Sequence, residues 1–127
     1  MPRRRPEADG QNSIVQFARL IGFLVYHTTD SRRSAPGFPD LWICGFGVLI
    51  IMELKFGRNK TSPAQDAWIA QLRLAGQDVR VYQVEDWGNL KLAEELKQIK
   101  RNWLSTPHQH ASPTTSKLRS TTREGPS

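Results

Sequence analysis

The sequence has few of the features that mark secreted or membrane proteins. It contains a single cysteine, Cys44, which excludes an internal disulfide framework and a zinc site built from cysteines. Its longest unbroken apolar run, Val48 to Met52, is far too short to cross a bilayer. Residues 1–10 carry three arginines but no apolar stretch behind them, so they do not form a secretory signal. We therefore expect a cytoplasmic protein with no membrane partner.

Positive charge is present, but it is concentrated at the two ends. The formal net charge is +6 over 127 residues. Residues 1–5 contain three arginines and no acid, residues 105–127 have a net charge of +2, and residues 6–104 hold 12 basic and 11 acidic side chains. Basic arms on a neutral body favour contact with nucleic-acid phosphates. Tails made basic for solubility are an equally good explanation of the charge alone.

The apolar pattern predicts an α/β domain over residues 11–104 and a disordered Ser/Thr/Pro-rich tail at 105–127. Residues 1–10, which lack apolar periodicity, form either a basic N-terminal arm or the frayed start of a helix. The expected order is α-β-β-β-α-β-α, with strands at 23–27, 40–44, 48–55 and 78–84 and helices at 11–20, 63–75 and 87–103. Strand 48–55 is apolar on both faces, so both faces of the sheet should be covered. This predicts a three-layer sandwich, a mixed sheet flanked by helices.

Two local signals are sharper than the rest. Ser62-Pro63-Ala64-Gln65 matches a capping box, with an N-cap serine, proline at the first helical position and glutamine at the third. Strands 40–44 and 48–55 are joined by a link so short that they should form a hairpin. If Phe46-Gly47 is a two-residue turn, Asp40 lies directly opposite Glu53, with Cβ atoms about 4.5–5.5 Å apart.

Two carboxylates at this distance on one face of a sheet repel each other unless a positive charge lies between them. A divalent cation is the economical explanation, since Mg²⁺ favours carboxylate oxygens, water and substrate phosphate. Lys55 shares the face of Glu53, because strand side chains alternate. A cation and a lysine together suit phosphodiester hydrolysis, where one activates water and the other offsets charge on the phosphate. Solvated surface acids on a strand are the plainer alternative.

These residues lie within a longer set of motifs. The chain resembles the VRR-NUC domain of the PD-(D/E)xK nuclease superfamily, in the compact stand-alone form of phages and bacteria. The resemblance extends from about Glu7 to Leu90 and rests on segments 18–27, 37–41, 52–55, 61–65, 68–72 and 75–76. It implies a restriction-endonuclease-like fold and a Mg²⁺- or Mn²⁺-dependent hydrolase of nucleic-acid phosphodiesters. The substrate would be DNA, including branched or recombining DNA. The protein would act in the cytoplasm, or in the host cytoplasm if a phage encodes it.

The resemblance also implies roles for individual residues. Asp40 and Glu53 would bind the metal, with the backbone carbonyl of Leu54 as a third ligand. Lys55 would be the catalytic lysine, and Gln65 the glutamine on the helix beside the site. The family has an acid on its first helix, for which Glu7 is the best match and Asp9 the neighbour that competes with it.

Basic loop residues flank the expected site. Arg32 and Arg33 precede Asp40, while Arg58 and Lys60 follow Lys55, so all four could contact phosphates on either side of the scissile bond. The four tryptophans are interpreted as structural. A homodimer remains open, because one chain presents a single site. The competing hypothesis is a non-catalytic nucleic-acid-binding module that uses the same fold and basic tails.

Overall fold

The computed structural model describes residues 6–28 and 35–107, with side chains from residue 9 onward. Its helices are α1 (Pro6–Leu20), α2 (Pro63–Leu74) and α3 (Lys91–Ser105), and its strands are β1 (Leu24–His27), β2 (Leu41–Gly45), β3 (Val48–Lys55) and β4 (Asp78–Gln83). A short 3-10 helix, Val84–Asn89, precedes α3. The predicted order α-β-β-β-α-β-α is confirmed. No helix in the described part of the chain is long and apolar enough to span a bilayer.

The four strands form one mixed sheet in the order β1-β2-β3-β4. β1 pairs antiparallel with β2 and β2 antiparallel with β3, whereas β4 runs parallel to β3 after the crossover through α2. The turn between β2 and β3 is Phe46-Gly47, and both residues have positive φ, of 51° and 78°. This suits a two-residue hairpin turn. The turn sets the register Leu41↔Met52, which confirms the predicted pairing.

Side chains on the two faces of the sheet enter two separate cores, because strand residues alternate. On one face, Ile14, Val15 and Ala18 of α1 and Leu92 and Leu96 of α3 pack against Ile43, Ile50 and Met52. On the other face, Ile69 of α2 packs against Ile51 and Val79. The result is the predicted three-layer sandwich, with α1 and α3 on one side and α2 on the other.

Two helix boundaries differ from the sequence prediction by more than two residues. α1 begins at Pro6, so residues 6–10 are the start of the helix, the second of the two interpretations that their sequence allowed, and not an arm. The helix predicted over 87–103 was wrong at its start: Leu90 has φ 64°, a left-handed conformation that separates the 3-10 helix from α3. Apolar spacing continues across this break, which is why periodicity alone did not reveal it. Arg32, Arg33, residues 1–5 and residues 108–127 lie outside the described residues.

Candidate active site

Asp40 is held at the start of β2 by one hydrogen bond to its backbone and one to its carboxylate. Its carbonyl oxygen accepts from the N–H of Thr28 at 3.0 Å, which continues the pairing of β1 with β2. Its carboxylate oxygen Oδ2 accepts from the N–H of Leu54 at 2.9 Å. In a strand, the N–H and C=O of one residue point to the same side. The carbonyl of Leu54 therefore points from the same edge of β3 as its N–H, towards Asp40. This edge is not paired with β2 at Leu54, because β2 begins only at Leu41, after Asp40.

Glu53 is a charged side chain placed almost entirely inside the protein, at 2% exposure. Its Oε2 accepts a hydrogen bond of 2.7 Å from Nε2 of Gln65. Its Oε1 is buried and has no hydrogen-bond partner among residues 6–28 and 35–107. Burial, together with the nearby negative charge of Asp40, raises the pKa of Glu53 from 4.5 to about 8, and Lys55 only partly opposes this.

Lys55 lies two residues beyond Glu53 on the same face of β3. Its Nζ is 3.8 Å from Oε2 of Glu53 and donates a 2.8 Å hydrogen bond to Oε1 of Gln65. The lysine side chain is largely buried, at 12% exposure. The site therefore presents two carboxyl groups and one ammonium group at the end of β3.

Gln65 connects this charged group to the N-terminus of α2. The predicted capping box is present, since the Gln65 N–H donates to Oγ of Ser62 at 3.2 Å and the Ser62 N–H donates to Oε1 of Gln65 at 2.8 Å. Because Oε1 accepts from two donors, Ser62 N and Lys55 Nζ, the amide NH₂ must face Glu53. One side chain thus caps the helix and fixes the position of both Glu53 and Lys55.

The loop that carries Asp40 approaches α2 at a glycine. Gly37 has φ +81°, and a Cβ there would lie 2.3 Å from the backbone carbon of Ala64 and 2.6 Å from the nitrogen of Gln65. The indole N–H of Trp68 donates to the carbonyl of Pro36 at 3.1 Å, which ties the same loop to α2. Sequence reasoning assigned no role to these contacts, although Gly37 lies in one of the motifs that suggested the family.

The donor set fits a hard divalent cation. The carboxylates of Asp40 and Glu53 and the carbonyl of Leu54 are oxygen donors of the kind that Mg²⁺ prefers. The unpartnered buried Oε1 of Glu53 would gain a partner from such an ion. Within the described residues, no group of three or more His, Cys, Asp or Glu side chains comes together.

Solved structures with the same architecture are known. One, described as a VRR_NUC domain, matches with a TM-score of 0.55 and 23% identity over 68% of this chain and 95% of its own length. Another, a VRR_NUC domain protein, matches with a TM-score of 0.56 and 17% identity over 77% of this chain and 93% of its own. The chain has the VRR_NUC fold. Its amino-acid sequence matches no family model and no curated protein.

This VRR_NUC fold is of the restriction-endonuclease-like type predicted from the sequence, with the mixed sheet between helices. The fold places α1 so that its first turns lie at the same end of the sheet as Asp40, since Gly10 packs against Val84, directly after β4. Glu7 belongs to the first turn of α1, but its side chain lies outside the described part. The role of Glu7 as a metal ligand therefore stays a prediction, as does the competing one for Asp9.

The basic loop after β3 is anchored beside the site. The N–H of Gly57 donates to Oε2 of Glu85 at 2.8 Å, and its carbonyl accepts from Gln83 at 3.1 Å. Arg58 and Lys60 follow this anchor and are exposed. Their cationic groups are thus accessible to phosphate near Lys55, and contact with nucleic acid remains a prediction for them.

Proposed function

We propose that this chain is a metal-dependent nuclease that hydrolyses phosphodiester bonds of DNA. The observation that carries the proposal is the buried carboxyl of Glu53, which shares its end of the sheet with Asp40 and Lys55. The VRR_NUC fold of the neighbouring structures supports it. Asp40, Glu53 and the Leu54 carbonyl would hold Mg²⁺ or Mn²⁺, with Glu7 as an additional ligand.

Charge balance explains why such a site needs a cation. Metal binding requires both acids to be ionised, although burial and Asp40 favour the protonated form of Glu53. Once ionised, the two carboxylates and the ammonium group of Lys55 sum to one negative charge, which repels a phosphodiester unless the cation is present. A pure binding module would gain affinity from losing one of these acids. A bound divalent ion would supply Lewis-acid polarisation of the phosphate and a more acidic water.

The protein side chains supply orientation and charge. Lys55 places an ammonium group where negative charge develops on the phosphate or where an attacking water needs orienting. Its position is fixed by the 2.8 Å bond to Gln65, so little reorganisation is needed during reaction. Arg58 and Lys60, with Arg32 and Arg33 that precede Asp40 in the sequence, would contact flanking phosphates without reading sequence.

The decisive experiment measures DNA cleavage by purified full-length protein in the presence of Mg²⁺ or Mn²⁺. Supercoiled plasmid and a synthetic four-way junction are incubated with wild type, Glu53→Gln, Asp40→Asn and Lys55→Met. Each substitution should reduce the cleavage rate at least about 100-fold, the usual cost of losing one such polar contact in an active site. Glu94→Gln, an exposed acid on α3, is the matched control and should cleave normally.

The same assay tests the alternatives. A chelator should abolish cleavage by wild type, and added Mg²⁺ should restore it. Equal cleavage by wild type and Glu53→Gln would refute the assignment of the site. Salt-sensitive DNA binding without turnover, unchanged by Glu53→Gln, would instead support a non-catalytic binding module. Conversion of plasmid to nicked before linear product would indicate single cuts by independent sites, whereas direct linearisation would indicate a homodimer.

A further inference from the structure

The sheet is only partly covered on the α2 side. Ile69 of α2 packs on Ile51 and Val79, which belong to β3 and β4. On the same face of β1, side chains are open to solvent, since Leu24 is 75% exposed and Tyr26 is 55% exposed, and Trp42 of the adjacent β2 is partly exposed. A contiguous apolar sheet face that stays open to water generally marks a binding surface.

The open face is aromatic at the end nearest the candidate active site. Tyr26 of β1 is the register partner of Trp42 of β2. The ring of Phe38 stacks on Trp42 with centroids 5.4 Å apart and planes 17° from parallel, and Trp68 meets Phe38 edge-on at 5.1 Å. Tyr26, Phe38 and Trp42 line a shallow pocket of about 300 Å³, a volume at the lower end for small-molecule sites. We refer to Tyr26, Phe38, Trp42 and Trp68 as the aromatic platform.

The platform is continuous with the acidic pair. Trp42 is the register partner of Ile51, and Glu53 lies two residues further along the same face of β3. The two are therefore diagonal neighbours, at about 7–8 Å between their backbones, a separation that one nucleotide can span. Phe38 is also only two residues before Asp40 in the same loop.

We propose that the aromatic platform binds an unpaired base of a nucleic-acid strand whose phosphate lies at Asp40, Glu53 and Lys55. The inference rests on the nuclease function proposed above and adds a substrate feature to it. Aromatic rings bind bases of any sequence, because every base offers a π-face. Bases inside a duplex are already stacked on their neighbours, so the platform selects single-stranded segments. Trp42 and Trp68 then have more than the structural role that their sequence positions indicate.

The test measures binding by full-length protein in a chelator, so that no cleavage occurs. Fluorescence anisotropy compares a labelled single-stranded oligonucleotide with its duplex. Tyr26→Leu keeps apolar volume but removes the ring, and it should weaken single-strand binding about fivefold or more. Tyr26→Phe keeps the ring and should bind like wild type. Leu24→Ala, on the same strand and face, is the matched control and should also bind like wild type, as should all variants on duplex DNA.

A second measurement guards against a folding defect in Tyr26→Leu. Single-stranded oligonucleotide should quench the tryptophan fluorescence of wild type, because a stacked base contacts an indole ring directly. Trp42→Phe preserves a ring at this position and should retain binding while the quenching falls. Duplex DNA of the same sequence should quench little.

Four results would overturn the platform. Tyr26→Leu could bind single strands as wild type does, or Leu24→Ala could weaken binding equally, which would indicate a merely apolar surface. Sedimentation could show that both substitutions convert a dimer to a monomer, which would make a second copy of this chain the occupant. Cleavage of duplex plasmid without any preference for single strands would also refute the platform and leave the nuclease intact. Single-strand binding without cleavage would instead support the platform and refute the nuclease function.

Discussion

At the scale of the residue, Glu53 is the side chain on which the candidate site depends. Burial and Asp40 favour its protonated form, and the ammonium group of Lys55 only partly offsets them. One carboxyl oxygen is bonded to Gln65, and the other has no partner within the described part of the chain. A carboxyl group in this setting stays largely protonated near neutral pH without a cation and releases its proton when a cation binds.

The first prediction concerns the free energy of unfolding in the presence of a chelator. The pKa of Glu53 is about 8 in the folded state against an ordinary value of 4.5, so the folded state holds more protons between these two values. The contribution of Glu53 to the free energy of unfolding should therefore be fully present below pH 4.5 and should fall as the pH rises towards about 8. In Glu53→Gln the decline should be smaller. Urea unfolding across a pH series measures it.

A matched acid separates this effect from general electrostatics. Glu94 is exposed on α3, and its hydrogen bond to Lys97 lowers its pKa, so it titrates below the window in question. Glu94→Gln should therefore keep the wild-type slope. An unchanged slope in Glu53→Gln would mean that Glu53 is already ionised throughout, contrary to its burial beside Asp40.

At the scale of the element, the local features were predictable and the contacts between elements were not. The hairpin register followed from a two-residue link, and the capping box from four consecutive residues, Ser62 to Gln65. The bridge from Gln65 to Glu53 and Lys55 joins residues 10 and 12 positions apart, on different elements. Its geometry depends on how Ile69 seats α2 on the sheet, which no local pattern encodes. The capping box predicted the role of Gln65 in the helix, but only the resemblance indicated that Gln65 belongs to the site.

The loop before β2 provides the second prediction. Gly37→Ala would place a methyl group 2.3 Å from the backbone of Ala64, so the loop and the first turn of α2 must move apart. Asp40 would then shift relative to Gln65 and Glu53. We expect a loss of cleavage of about 100-fold, as small misplacements of reacting groups can cause. Cleavage rate and circular dichroism should be measured together.

Gly76 offers the matched control for this substitution. It follows α2, has φ +89°, and a Cβ there would meet nothing within 4 Å. Gly76→Ala therefore imposes a similar left-handed strain, about 1–2 kcal/mol, without a clash. It should lower stability while leaving cleavage intact. Equal loss of cleavage in both variants would show that strain, and not the contact with α2, controls the site.

At the scale of the whole molecule, the sequence predicted the layers but overstated how much of the sheet is covered. The apolar pattern of β3 correctly indicated helices on both of its faces. β1 and β2 carry apolar and aromatic residues on the α2 side too, such as Leu24 and Trp42, yet Leu24 is exposed. Composition does not distinguish a core strand from one that presents its face to a ligand, because both are apolar. Only the position of α2 over β3 and β4 distinguishes the covered strands from the open ones.

The opposite edge of the sheet is attached to α3 by charge. Arg80 of β4 donates two hydrogen bonds of 2.7 Å to Glu95 of α3 and further bonds of 3.0 and 2.9 Å to Asp78. These contacts lower the pKa of both Glu95 and Asp78. The three side chains are partly exposed, which weakens each pair through solvent screening.

The third prediction concerns the free energy of unfolding at acidic pH. Arg80→Met should lower the free energy of unfolding by about 1–2 kcal/mol at neutral pH, given two favourably oriented but partly solvated pairs. Because Asp78 and Glu95 have lowered pKa values, this stabilisation is present above their ordinary values of 3.8 and 4.5 and is lost as the pH falls through the lowered ones. Arg101→Met, where the guanidinium bonds the neutral Gln98, is the control and should cost under about 0.5 kcal/mol. If Arg80→Met remained equally destabilised in acid, aliphatic packing and not charge would join β4 to α3.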